Sequence, residues 1–295
     1  MPCPPRAPCV RATRWTPDLE SLWIYRLVFN SPMLCRERKR RERTCRLTSA
    51  VDGWVLAAKY PACAVTTLTT LSRRAEVAAQ QNHSSWPAPH NHHIAYISTA
   101  DDLFPFPDNH FDVVLSSTFA SEVKSASWLA VLGECRRCIH SDGWIELQSM
   151  DPIPSRQGVL MQAWVEARLV PGLEDCGLAV KPSKRTHYLE TAGFANIKTC
   201  KIALPAVGRG PGSGSGAATG ASGPGLEQDA TRVMVQAGRH YYQELFHDYL
   251  KPLSGGANAG RLPWWWYNRA IRQECEREGT LFGFMISFGR KVDGM

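Results

Sequence analysis

The chain has 295 residues, with 34 Lys and Arg against 27 Asp and Glu, for a formal net charge of +7. That length can bury the core of one α/β domain with an appendage. No run of about 18 apolar residues is present, which excludes a membrane-spanning helix of the usual kind.

The opening Met-Pro-Cys-Pro-Pro-Arg carries no apolar segment, so a secretory signal is not expected. The 10 cysteines follow no disulfide framework. They are expected as reduced thiols in a cytoplasmic protein, with a nuclear location left open.

The charge is uneven along the chain. Residues 1–50 hold 11 basic and 4 acidic side chains, whereas the remainder holds 23 of each. The basic run Arg36, Arg38, Lys39, Arg40, Arg41, Arg43 and Arg46 allows an import-signal reading or a solvated arm. No aromatic residue is interleaved in it, as a stacking platform for single-stranded nucleic acid requires. Nucleic acid is therefore not an expected partner, and residues 1–46 are read as a basic, poorly ordered arm.

His83, His90, His92 and His93 fall in a Pro/Asn/Ser-rich stretch read as a solvated loop. After Asp101 and Asp102 comes a proline-stiffened turn, Leu103-Phe104-Pro105-Phe106-Pro107, and then a strand over 112–116. Its Val-Val-Leu centre has no polar alternation, which marks a strand buried on both faces and parallel to its neighbours. Ligands of such sheets bind beyond the carboxyl ends of the strands, here Ser116 to Phe119.

Residues 128–140 have helical apolar spacing. Their Cys135-x-x-Cys138 pair would need two further ligands to hold zinc, so no metal is expected. An apolar strand follows over 144–148. Residues 188–193 read as a helix whose Gly193 takes the left-handed C-cap position, and 196–204 as an edge strand. Residues 208–225 are a Gly/Ser/Ala-rich tether. Helical spacing returns over 229–250, Trp264 to Tyr267 precede a helix to about 278, and 281–288 suit a closing antiparallel strand. The aromatic residues Trp264 to Tyr267 either line a pocket or anchor the inserted helices to the domain.

The string of an acidic pair, Leu-Phe-Pro-Phe-Pro-Asp and Phe-Asp-Val-Val-Leu-Ser over 101–116 resembles one region of class I S-adenosylmethionine (SAM) methyltransferases, in particular the small-molecule group called type 11. Residues 128–147 resemble that family's Arg-ended helix, Gly-Gly turn and strand, with Asp142 standing for the first glycine. Residues 188–194 resemble its last helix, ending Ala-Gly-Phe, and 53–61 the helix after its cofactor loop. The resemblance covers about residues 53–205 and extends to the last strand.

The resemblance implies an α/β fold: a Rossmann-like methyltransferase sheet, mostly parallel, with the last strand antiparallel and a helical insertion near the C-terminus able to fold over the pocket. It implies S-adenosyl-L-methionine as cofactor and a small-molecule acceptor, with O-, N- and C-methylation all open. The architecture is similar to fungal secondary-metabolism enzymes. Asp52 and Gly53 would be remnants of the glycine turn, Thr69 would meet the ribose, and Asp101, Asp102 and Leu103 the adenine. Ser117, Thr118 and Phe119 would lie beyond the central strand. Methyl displacement at a sulfonium needs alignment more than a covalent intermediate, and no catalytic residue is assigned.

The family's glycine-rich loop has no counterpart in residues 43–53, which hold one glycine and no apolar strand. A degraded cofactor loop, weak SAM binding and a sheet without its first strand are expected. A mis-assembled coding segment, a divergent paralogue, or replacement of the strand by residues 23–29 would each account for this. The alternative function is a catalytically inactive methyltransferase-like regulatory or interaction protein with a protein partner. The expected partition is 1–46 arm, 47–205 methyltransferase core, 206–228 linker, 229–280 helical insertion, and 281–295 last strand and tail.

Overall fold

The computed structural model describes residues 43–47, 50–71, 89–99, 102–180, 185–208, 224–250 and 264–292. The strands are β1 (Arg43–Leu47), β2 (Ala64–Thr70), β3 (His92–Ile97), β4 (Phe111–Ser116), β5 (Ile139–Met150), β6 (Phe194–Pro205) and β7 (Leu281–Lys291). The helices are α1 (Ala50–Lys59), α2 (Phe119–Glu122), α3 (Trp128–Cys138), α4 (Val159–Arg168), α5 (Val170–Asp175), α6 (Arg185–Thr191), α7 (Pro224–Phe246) and α8 (Arg269–Glu278). The strands form one sheet in the order β3-β2-β1-β4-β5-β7-β6. β1 to β5 run parallel, and β7 lies antiparallel between β5 and β6.

The apolar run of β4 is buried as its pattern requires, with Val113, Val114 and Leu115 at 5%, 1% and 1% exposure. One face of the sheet presents Val114, Ile145 and Leu147 to Val131, Leu132 and Cys135 of α3. The other presents Val65, Val113 and Leu115 to Leu56 and Ala57 of α1. Asn91 closes the C-terminus of α1 by donating from Nδ2 to the carbonyls of Ala57, Tyr60 and Cys63 at 3.1, 3.1 and 2.7 Å. The Tyr60 carbonyl also accepts from the Cys63 N–H at 3.0 Å.

Two sequence readings are corrected here. The sheet does have its first strand: β1 stands centrally, pairing Thr44 with both Val65 and Val113 and Leu47 with Leu68 and Ser116. A strand paired on both sides satisfies its backbone whatever its side chains, so Arg-Thr-Cys-Arg-Leu serves without an apolar run. Residues 43–46 therefore belong to the sheet, while 1–42, including 23–29, lie outside the described residues. The second correction concerns His92 and His93, which open β3 instead of lying in a loop.

Other expectations meet the structure directly. Asp142 has φ 67° and Gly193 φ 84°, the left-handed backbone that favours glycine and, next, Asn or Asp. β6 is the edge strand and pairs with β7, so everything from 206 to 280 enters between two paired strands. Most of the Gly/Ser tether, 209–223, lies outside the described residues. Trp264, Trp265 and Trp266 are buried with Tyr242 and Phe282 in one cluster. Trp264 stacks on Trp266 at 4.6 Å and Tyr242 lies 4.7 Å from Phe282. These tryptophans anchor the insertion to β7.

Candidate functional site

The carboxyl ends of β3, β2, β1 and β4 share one edge of the sheet, so Thr69, the Asp102 loop and Ser117 are brought to the same side. Thr69 is buried near the end of β2. Asp102 accepts from the Thr99 N–H at 2.8 Å and the Thr99 hydroxyl at 2.9 Å, while its own N–H donates to the Thr99 carbonyl. Those bonds favour the ionised form, holding the Asp102 carboxyl below its ordinary value. Leu103 follows, 79% exposed. Asp101 lies outside the described residues.

A charged clamp fixes the rest of this loop. Arg137 pairs with Glu134 at 2.8 Å and Asp108 at 2.7 Å, and donates to the carbonyls of Phe104 and Phe106 at 3.0 and 2.8 Å. Glu134 also accepts from the Phe104 N–H at 2.9 Å. Hydrogen bonds from Arg137 lower the Glu134 pKa, and those to Glu134 and Asp108 raise that of Arg137. The helix α3 thus holds the β3–β4 connection through main-chain atoms. Burial raises the pKa of the Cys135 and Cys138 thiols, that of Cys138 to about 11. Among the described residues no group of three His, Cys, Asp or Glu side chains could hold a metal ion.

At the end of β4, the Ser116 hydroxyl is buried without a hydrogen-bond partner. Phe119, expected beside a ligand, is instead a core residue, 2% exposed and 5.5 Å from the Trp128 ring. Its apolar ring opens α2 and is drawn into the cluster under α3. Ser117 and Thr118 line a cleft with Ser121, Ser149, Leu245 and Phe246 among others. The cleft is narrow, with about 10 Å³ of internal volume, room for about one water. Its roof comes from the insertion: the Tyr241 hydroxyl donates to the Ser117 carbonyl at 2.9 Å, and that of Tyr249 to the Ser121 carbonyl at 2.6 Å. Sequence periodicity marked both tyrosines only as helix residues.

Gly53 occupies no loop. It sits in α1, where a Cβ would stand 2.0 Å from the Thr67 hydroxyl oxygen and 2.8 Å from His92 Nε2. Its role is close helix–sheet packing. Asp52 lies in the same helix, and only residues 48–49 separate β1 from α1. The residues present fit a SAM-like ligand at the ends of β2 to β4. A polar acceptor loop carries Asp102, the exposed Leu103 offers an apolar face, and the buried Ser116 hydroxyl at the end of β4 has no hydrogen-bond partner. Thr69, Asp102, Leu103, Ser116 and Ser117 are the side chains and backbone that would hold it.

Residues 52–147, about a third of the chain, match the family model described as "Methyltransferase domain". Among curated proteins none matches the sequence. Phosphoethanolamine N-methyltransferase 2 of Haemonchus contortus, solved with S-adenosyl-L-methionine, is 12% identical over 93% of this chain and 53% of that chain, with TM-score 0.50. The same enzyme with phosphomonomethylethanolamine and S-adenosylhomocysteine gives 12%, 93%, 53% and 0.49. A SAM-dependent methyltransferase from Archaeoglobus fulgidus gives 11% identity over 92% of this chain and 94% of that chain, with TM-score 0.47. The chain thus spans about half the length of the Haemonchus protein. The matched segment and the Rossmann-like sheet together support a class I SAM-dependent methyltransferase.

Proposed function

We propose that this protein is a SAM-dependent methyltransferase acting on a small-molecule acceptor. The observation that carries the reading is the overlap of the matched segment 52–147 with α1 through β5, whose carboxyl ends form the site just described. Bound SAM would supply a methyl group on a sulfonium, open to direct displacement. The chain's own part is to position and to exclude water. The Glu134–Arg137 clamp orients the loop that carries Asp102 and Leu103, and Tyr241 and Tyr249 hold α7 and the turn after it over the end of β4. No acid or base among the described residues lines the cleft, which favours an acceptor atom that is nucleophilic without enzymic deprotonation.

The finer reading follows the same line. With two residues between β1 and α1, the glycine-rich turn is degraded, and affinity for SAM is correspondingly weak. The domains divide as an N-terminal arm, a core, a Gly/Ser linker, a helical insertion and a closing strand, in a cytoplasmic enzyme of the fungal secondary-metabolism type. No described helix is long and apolar enough to cross a membrane. Ultraviolet cross-linking of tritium-labelled SAM to the full chain, followed by peptide mapping, tests the assignment. Label in peptides spanning 98–119 is the expected result; label elsewhere only, or none, counts against it.

A further inference from the structure

Arg239 of α7 is held in one orientation. Its Nε donates to the Ala206 carbonyl at 2.9 Å, and its guanidinium carbon lies 5.8 Å from the centre of the Trp265 ring and 6.0 Å from that of Trp266. Both tryptophans are buried, so the guanidinium rests on a fixed aromatic floor. Its half-buried position and the charge of the neighbouring Arg272 both disfavour its ionised form. Tyr267, 73% exposed, stands near the same group. No carboxylate among the described residues offsets the two arginines. On α8, Glu274 accepts from the Leu160 and Met161 N–H groups, Glu278 pairs with Arg277, and Glu276 is not free. Ala206 follows β6, and its N–H donates to the Thr280 carbonyl ahead of β7 at 3.0 Å. Arg239 therefore stands at the edge of the sheet where the parallel strands end.

We propose that Arg239 and Arg272 form a surface binding site for a small phosphomonoester, with the phosphate between the two guanidinium groups and the organic part against the exposed Tyr267 ring. The Nε of Arg239 is occupied by Ala206, which leaves its two terminal nitrogens as a fork able to take two oxygens of one oxyanion. A phosphomonoester near neutral pH carries close to two negative charges. It neutralises both cations, where a carboxylate neutralises one. The ligand keeps part of its hydration at an open surface, so the desolvation that burdens a closed ionic site is small. Arg239 is already immobilised by its bond and by the two rings, so little side-chain freedom is lost on binding. None of these atoms belongs to the cofactor site, and the two assignments stand separately.

Three probes test this by calorimetric titration of the full chain at neutral pH and low ionic strength: phenyl phosphate, benzoate and inorganic phosphate. Phenyl phosphate should bind at least about tenfold more tightly than benzoate, and more tightly than inorganic phosphate because of the Tyr267 ring. Arg272→Gln should weaken it by about tenfold, the worth of one charge-assisted hydrogen bond. The melting temperature should stay unchanged in that variant, since Arg272 is exposed. Arg239→Lys, which keeps the charge and loses the fork, should recover only part of what Arg239→Gln loses. Benzoate or inorganic phosphate binding as tightly as phenyl phosphate would overturn the proposal. So would a lack of saturable phenyl phosphate binding at millimolar concentration, or an Arg272→Gln affinity equal to that of the wild type.

Discussion

The Tyr241 hydroxyl donates to the Ser117 carbonyl at 2.9 Å across 124 residues of sequence, joining the inserted helix α7 to the end of the central strand β4. Tyr249 repeats the contact at Ser121. The insertion is thereby part of the site instead of an ornament on the sheet edge. Tyr241→Phe and Tyr249→Phe should each lower stability by about 1 kcal/mol, the net value of one such bond, and together should lower amide protection over 117–122. Urea unfolding with hydrogen exchange checks this. Unchanged protection in the double variant would show that α7 is held by its apolar face alone.

The clamp from α3 makes a second prediction. Arg137→Ala removes donors to Phe104 and Phe106 together with pairs to Glu134 and Asp108. The pair with Asp108 is largely exposed, so the main effect should come from the main-chain contacts, about 1–2 kcal/mol in all. If the loop holds the cofactor, affinity for S-adenosylhomocysteine should fall about tenfold, more than for Glu134→Gln, which keeps an acceptor for the Phe104 N–H. Equal affinities in wild type and Arg137→Ala would separate the clamp from ligand binding.

Gly53 supplies a third. Replacing a helical glycine by alanine ordinarily stabilises by about 1 kcal/mol. Here the new Cβ would lie 2.0 Å from the Thr67 hydroxyl oxygen and 2.8 Å from His92 Nε2, and overpacking costs about 1–3 kcal/mol. Thr67 is β-branched and buried, so it yields poorly. Gly53→Ala should therefore destabilise, as read by chemical denaturation; stabilisation would contradict the packing account.

His92 gives a pH dependence. Burial, with the neighbouring His93 charge adding, lowers its pKa from 6.5 to about 4, and it bonds to the Thr67 hydroxyl at 2.8 Å. The unfolded chain takes up the proton first as pH falls. Its contribution to stability is therefore complete above pH 6.5, declines between 6.5 and about 4, and is gone below. Denaturation midpoints across that window should fall for the wild type and flatten for His92→Gln. Parallel profiles would place the acid sensitivity elsewhere.

Much of this fold was legible because its signals are local. The unbroken apolar run at 113–115 announces a buried parallel strand, and Asp142 and Gly193 sit where positive φ is required. β1 was not legible, since Arg43-Thr44-Cys45-Arg46-Leu47 shows neither an apolar run nor alternation and owes its place to pairing on both sides. The histidines of β3 were hidden by the Pro- and Asn-rich stretch before them. Of the candidate site, Asp102 and Leu103 follow β3 and Ser117 and Thr118 follow β4, whereas the Phe119 ring and Gly53 are packed against neighbouring elements. Tyr241 and Tyr249 entered only through contacts between residues far apart in the chain, which no local pattern encodes.

Calorimetric titration of the full chain with S-adenosylhomocysteine tests the central claim most directly. On the proposed loss of the glycine turn, two or three missing polar contacts would move a micromolar site towards millimolar. The account predicts one site per chain with Kd between about 10 µM and 1 mM, weakened further by Asp102→Ala. No heat of binding at ligand concentrations of several times that upper limit, or binding indifferent to Asp102→Ala, would contradict it.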